Sequence, residues 1–168
     1  MNKAFLILIV LATLLAVWLP GPGRDASTGT AFGSALEPIP ADAECAECGM
    51  SIADSRFAAR MLVQHDGELR TLYFDDAGCA LDHERWHPGL VVRERAFAVD
   101  ARPRWAPSAT VWFVVNSKIF TPMGTGLLAV DAAEATRRRA GGERVEPFGA
   151  AAAFRQQWME SRFGKPRP

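Results

Sequence analysis

An apolar run from Ala4 to Leu19, preceded by the single charge of Lys3 and ended by Pro20-Gly21-Pro22-Gly23, limits what the rest of this chain can become. Such a run reads as an export signal. Its length falls between the apolar core of a cleaved signal and the roughly 18–20 residues of a spanning helix. No small-x-small pattern follows it closely, Gly33-Ser34-Ala35 being distant, and no cysteine near its end can accept a lipid. Residues 1–20 are therefore read as an uncleaved anchor helix. Residues 21–43, rich in Gly, Ser, Thr, Ala and Pro without any apolar period, read as a flexible tether. What remains to fold is residues 44–163, with a short tail at 164–168, which suits one domain of about 100–150 residues.

Export places that domain in an oxidising compartment. The chain has three cysteines, an odd count, so at least one thiol has no partner within the chain. A spare thiol in such a compartment is either buried and inert or in use as a ligand or reactive group. Lys+Arg and Asp+Glu are balanced at 19 each. No basic field exists to collect phosphates, so nucleic acid is not expected as a partner.

The local signals predict strands over Phe57 to Gln64 and Leu69 to Phe74, joined at His65-Asp66-Gly67-Glu68 by the Asp-Gly of a tight turn. Asp75-Asp76 then caps a helix over Ala77 to Trp86, which Pro88-Gly89 stops. After a strand at Val91 to Val99 and a Pro-rich loop, the order recurs. Thr110 to Asn116 and Gly126 to Val130 read as strands, and Asp131 caps a helix over Ala132 to Ala140. The expected fold is α+β: a small antiparallel sheet domain built from two strand–strand–helix units, preceded by the N-terminal apolar helix. A last amphipathic helix, about Ala150 to Arg162, turns Phe154, Trp158 and Phe163 to one side.

The stretch Cys45-Ala46-Glu47-Cys48-Gly49-Met50 sets three sulfur side chains within six residues. Soft thiolate and thioether ligands select Cu(I) over hard cations. In an extended segment Cys48 and Met50 point to one face, and Cys45 can join them through a turn. By spacing alone the C-x-x-C is equally a disulfide, a redox pair or half of a zinc site. A second C-x-x-C is absent, no His follows Cys48 to attach haem, and the pair does not open a helix after a strand as in thioredoxin-like proteins. Thr121-Pro122-Met123-Gly124 weighs toward a soft metal, because Pro and Gly display Met123 on a stiff turn instead of burying it. Met61 and Met159 are read as gap-fillers. Cys79, His83 and His87, spaced four apart, lie along one face of the first helix. That stripe is read first as one buried Cys and two solvated His, and only second as ligands. His65 is read as a turn residue. No serine–histidine–aspartate set, paired carboxylates or phosphate-binding glycine loop points to catalysis.

Taken together, the export segment, Cys45-x-x-Cys48-Gly49-Met50-x-Ile52, the Phe-Asp helix entry and Thr121-Pro122-Met123-Gly124-x-Gly126 resemble the NosL family, copper chaperones accessory to nitrous-oxide reductase maturation. The resemblance covers roughly Glu44 to Asp131. It implies a non-enzymatic periplasmic Cu(I) carrier, held at the inner membrane by its apolar segment, that works with a client copper reductase and its assembly machinery. It also implies that Cys48 and Met50 are the Cys-x-Met ligands and Met123 a third, with Cys45 matching a cysteine that part of the family has. The chain lacks the family's lipoprotein cysteine. Two alternatives stand beside this reading: an exported thiol–disulfide oxidoreductase using Cys45 and Cys48, and a copper chaperone for another cuproenzyme.

Overall fold

Asp66 and Gly67 both adopt positive φ, 50° and 84°, and this mirror-image turn joins β1 (Ala59–His65) to β2 (Glu68–Phe74) in the register Ala59 to Phe74 through His65 to Glu68. The computed structural model describes residues 37–99 and 104–164. The apolar run, most of the tether and the last four residues lie outside them, so the anchor helix does too. Among the described residues no helix is long and apolar enough to cross a membrane.

Helix α1 (Ala77–Trp86) follows β2, with the Asp76 carboxylate accepting from the Gly78 N–H at its start. Strand β3 (Val91–Ala98) then returns along the far side of β1, and β4 (Trp105–Pro107) extends the sheet to the order β2-β1-β3-β4. The second half repeats the plan. Strands β5 (Trp112–Val115) and β6 (Leu127–Val130) pair, Asp131 caps α2 (Ala132–Ala140), and β7 (Val145–Pro147) lies against β5 in a second sheet ordered β6-β5-β7. Both halves are antiparallel throughout. The α+β class and the two-unit plan hold, with two differences. Each unit is strand–strand–helix–strand, and the units form separate sheets. A terminal helix, α3 (Phe148–Phe163), closes the chain.

The core lies between the two units. Phe97 of β3 meets Phe113 of β5 edge to face, with ring centroids 5.0 Å apart, and Phe148 at the start of α3 packs against both. Ala59, Met61 and Val63 of β1, Phe74 of β2, Leu127 and Ala129 of β6, Ala77, Cys79 and Ala80 of α1, and Cys45 ahead of β1 belong to the same cluster. Burying each large apolar side chain contributes on the order of 1.5–3 kcal/mol. Strand β1 is buried on both faces. Its other face carries Leu62 against Trp105, Ile39 and Ile52, and Arg60 lies 4.6 Å from the Trp105 ring. The chain is thus docked from Glu37 onward, whose carbonyl accepts the Trp105 Nε1–H at 2.7 Å.

Helix α3 turns only part of the expected face inward: Phe154 packs, partly buried, against the core. Ala151, Arg155 and Met159 are buried, whereas Trp158 and Phe163 are exposed and rest against each other. The reason is electrostatic. Arg155 reaches Asp82 of α1 through two bonds of 3.0 and 2.6 Å, and this buried pair sets the helix's rotation so that residues four apart from Arg155 face inward.

Candidate metal centre

The Cys45–Met50 segment folds into a closed loop. Glu44 and Ser51 pair across its base, Cys45 N–H donates to the Met50 carbonyl at 2.8 Å, and Gly49 N–H donates to the Cys45 carbonyl at 2.8 Å. Gly49 has φ +74°, a conformation that favours glycine. Cys48 and Met50 therefore lie on either side of a left-handed bend and not along an extended segment, which corrects the geometry expected from their spacing. The chain must reverse within six residues, and only glycine turns it there without strain. Ala46 N–H donates to the Tyr73 carbonyl at 2.9 Å, which docks the loop on the end of β2.

That docking brings the loop to the start of α1. The side-chain donors of Cys45, Cys48, Asp75 and Cys79 all lie within 4.8 Å of one another. Cys45 and Cys79 are buried, Asp75 is buried, and Cys48 is exposed. All three cysteines are free thiols. Cys45 is held down to about 4, chiefly by the hydrogen bond it accepts from the Cys79 thiol, with backbone N–H groups of Asp75, Cys48 and Glu47 adding to the effect against burial. The same Cys79–Cys45 bond, with burial, pushes Cys79 far up. Cys48 is raised by burial. Asp75 rises to about 6 through burial and its contact with Cys45. The Cys79–Cys45 hydrogen bond thus favours the thiolate on Cys45 over that on Cys79. Asp75 Oδ1 is buried without a hydrogen-bond partner, an arrangement that a cation would satisfy. Three thiols and a carboxylate at this separation form a donor set suited to a soft ion.

Asp76 ties the second sequence motif to the same place. Its Oδ1 accepts from Gly78 N–H at 2.6 Å and from the Thr125 hydroxyl at 2.5 Å, and its Oδ2 accepts from Met123 N–H at 3.4 Å. Gly124 N–H closes the turn on the Thr121 carbonyl at 2.8 Å. Thr121 to Gly124 is the stiff turn expected, anchored one residue from Asp75, and Met123 is 40% exposed on it, as Met50 is 47% exposed on its own loop.

Cys79 is the residue that sequence reasoning undervalued. Its helix stripe divides between two clusters. Cys79 faces the thiols, while His83 and His87 meet Glu47 in a second group whose donors also lie within 4.8 Å. His83 Nδ1 stands 2.9 Å from Glu47 Oε2, and the His83 and His87 rings are 4.3 Å apart. Since Glu47 lies between Cys45 and Cys48, this contact pins the thiol loop to the helix. His65 pairs with Asp66 at 3.3 Å in the exposed hairpin and joins neither group.

The class of protein defined here is a small α+β domain of two repeated units with a thiol-rich candidate metal site at the junction of a loop and a helix start. Among solved structures, the copper chaperone NosL from Shewanella denitrificans has this fold, with a TM-score of 0.54 at 16% sequence identity, the match covering 67% of this chain and 92% of that one. The likeness is one of fold, and the fold implied by the family resemblance is the one observed. No protein-family model matches the sequence, and no curated protein does.

Proposed function

We propose that this protein is an exported Cu(I) metallochaperone, anchored in the inner membrane by its apolar segment, which carries copper in the periplasm for the maturation of nitrous-oxide reductase. The observation that carries this reading is the convergence of Cys45, Cys48 and Cys79 with an unpartnered buried carboxylate oxygen, in the fold of a copper chaperone. Cys48, Met50 and Met123, with Cys45, are the sulfur ligands from which the ion is handed on. Sulfur donors hold Cu(I) without needing any reaction from the protein, so the role is binding and release, not catalysis.

The burial pattern argues against the oxidoreductase alternative. An attacking thiol needs both a low pKa and access. Here the sulfur held low is Cys45, 2% exposed, whereas the accessible Cys48 is shifted upward. Nucleophilicity and access are on different residues.

Titration of the reduced full-length chain with Cu(I) against a competing chelator tests the proposal. One tightly held ion with sulfur scatterers in its X-ray absorption spectrum is expected, and a shell of nitrogen and oxygen alone refutes it. The anchor is tested by N-terminal analysis of membrane-extracted protein, in which a mature chain beginning near Leu36 excludes it. Copper loading of reductase in cells lacking this protein tests the client.

A further inference from the structure

Helix α1 carries a second donor group one turn beyond Cys79, and the copper-carrying role makes no use of it. His83 and His87 are four residues apart, so both rings rise on one face of the helix. Their centroids are 4.3 Å apart. Glu47 reaches the same point from the thiol loop, with Oε2 2.9 Å from His83 Nδ1, and one donor atom from each of the three residues lies within 4.8 Å of the others. A Glu–His pair alone is an ordinary polar contact. A third donor beside it makes a different object, because the ligands of a tetrahedral ion with bonds of about 2.0–2.2 Å to nitrogen and oxygen stand about 3.3–3.6 Å apart. Small side-chain rotations bring these three donors to that spacing.

We infer that Glu47, His83 and His87 form a second metal site, for a divalent cation of the zinc class, separate from the thiol site. The inference goes beyond the carrier reading and does not rest on it.

The donor chemistry selects the ion. Two imidazoles and a carboxylate suit Zn2+ and its neighbours, whereas thiolates select Cu(I), so the two groups on one helix sort ions by softness. Among the described residues no side chain belongs to both groups. Three protein ligands leave a fourth position for water or another ligand, and the open side is the one that His87 faces, since His87 is exposed and His83 is buried. The fold also holds each donor in place. The His83 ring packs on Phe74, with centroids 5.3 Å apart. His87 ends the helix, its N–H donating to the His83 carbonyl at 3.0 Å just before Pro88. Glu47 is carried in by the loop that Ala46 docks on Tyr73. The helix itself favours a cation here, because its C-terminal carbonyls turn the negative end of the dipole toward this point. Because Glu47 lies between Cys45 and Cys48, an ion bound here fastens the thiol loop to α1 and stabilises the folded chain by mass action.

The test uses the full-length reduced chain, loaded with one equivalent of Cu(I) to occupy the thiols and then titrated with Co2+ as a coloured stand-in for Zn2+. One further equivalent should bind, with the visible d–d absorption of cobalt on nitrogen and oxygen and no thiolate charge-transfer band, and Zn2+ should displace it. No uptake, or a charge-transfer band from the bound cobalt, overturns the site. His87→Ala alters an exposed residue at the helix end, so the metal-free variant should melt with the parent while its cobalt affinity falls at least about tenfold, the loss that outer-shell partners alone commonly cause. Glu47→Gln keeps the size, removes the charge and should weaken cobalt by a similar factor. Parent-like cobalt affinity in His87→Ala overturns the site. Failure to take up Cu(I) in the first step refutes the carrier reading and not this site, which the comparison of His87→Ala with the parent still decides.

Discussion

Gly78→Ala should separate the two halves of the candidate site. Gly78 is the second residue of α1, and a Cβ there would come within 2.3 Å of Thr125 Cγ2, 2.5 Å of Thr125 Cβ and 2.8 Å of Thr125 Oγ1. Two of those atoms belong to the short, branched end of a threonine whose hydroxyl is committed to Asp76, so it cannot simply swing away. Either α1 moves or the Thr121–Thr125 turn lifts from the helix start. Overpacking of this kind costs about 1–3 kcal/mol. Loss of the Thr125 bond to a carboxylate adds about 1.5–3 kcal/mol. The better helix propensity of alanine returns at most about 1 kcal/mol. The net expectation is a loss of roughly 1.5–6 kcal/mol, read as a fall in the urea midpoint without a change in slope. Thr125→Gly removes all three obstructing atoms, so in that background Gly78→Ala should cost less than about 1 kcal/mol. The reasoning fails if Gly78→Ala alone stays within about 0.5 kcal/mol of the parent, or if its full cost persists beside Thr125→Gly.

Asp82→Ala leaves the Arg155 guanidinium buried without its carboxylate and should destabilise the fold by about 3–5 kcal/mol, whereas Asp82→Leu with Arg155→Met should be far milder; urea denaturation of both decides it. Asp131→Ala removes the cap bond from Glu134 N–H at 2.8 Å and the contact with Arg104, and should lower the thermal midpoint by an amount equivalent to about 0.5–2 kcal/mol. The Asp131 carboxyl is lowered in the folded protein, first by that cap bond, so its contribution is present above the unfolded carboxylate range near 4 and is lost as pH falls through the lower folded value. The difference between parent and Asp131→Ala should accordingly shrink below about pH 4 in a pH-resolved melting series, and a difference that grows in acid contradicts this assignment.

Features written in local chemistry were legible in the sequence. Asp66-Gly67 specified its turn because few other dipeptides tolerate two positive φ angles, and Asp76 and Asp131 specified their helix starts because a short carboxylate there accepts an otherwise unpaired N–H. Strands β4 and β7 were not legible. Each has three residues and ends in proline, Trp105–Pro107 and Val145–Pro147, too short to show alternation, and each exists because a longer strand offers it a free edge. The face of α3 was legible at Phe154 but not at Trp158 and Phe163, for a related reason. Aromatic content alone favours Trp158 inside, but a bidentate partner on another helix holds Arg155 inward, and that partner is 73 residues away in sequence.

The candidate site divides along the same line. Cys45, Cys48, Met50 and Met123 stood out because sulfur sat in short motifs with glycine and proline, and such motifs carry their geometry with them. Cys79 stood out only as a member of a helical stripe with His83 and His87, and a stripe says which residues share a face without saying what lies opposite. Two contacts from outside the helix settle that: Ala46 N–H on the Tyr73 carbonyl carries Cys45 to Cys79, and Glu47 on His83 holds the next turn of the same loop. The stripe is thereby cut between residues 79 and 83, sulfur on one side and imidazole with carboxylate on the other. A single helix face thus presents two kinds of donor to one loop, which meets Cys79 with Cys45 and Cys48 and meets His83 with the Glu47 between them. Chemical selectivity at this junction therefore depends on the register between loop and helix, and shifting the loop by one residue would exchange a thiol for a carboxylate opposite Cys79.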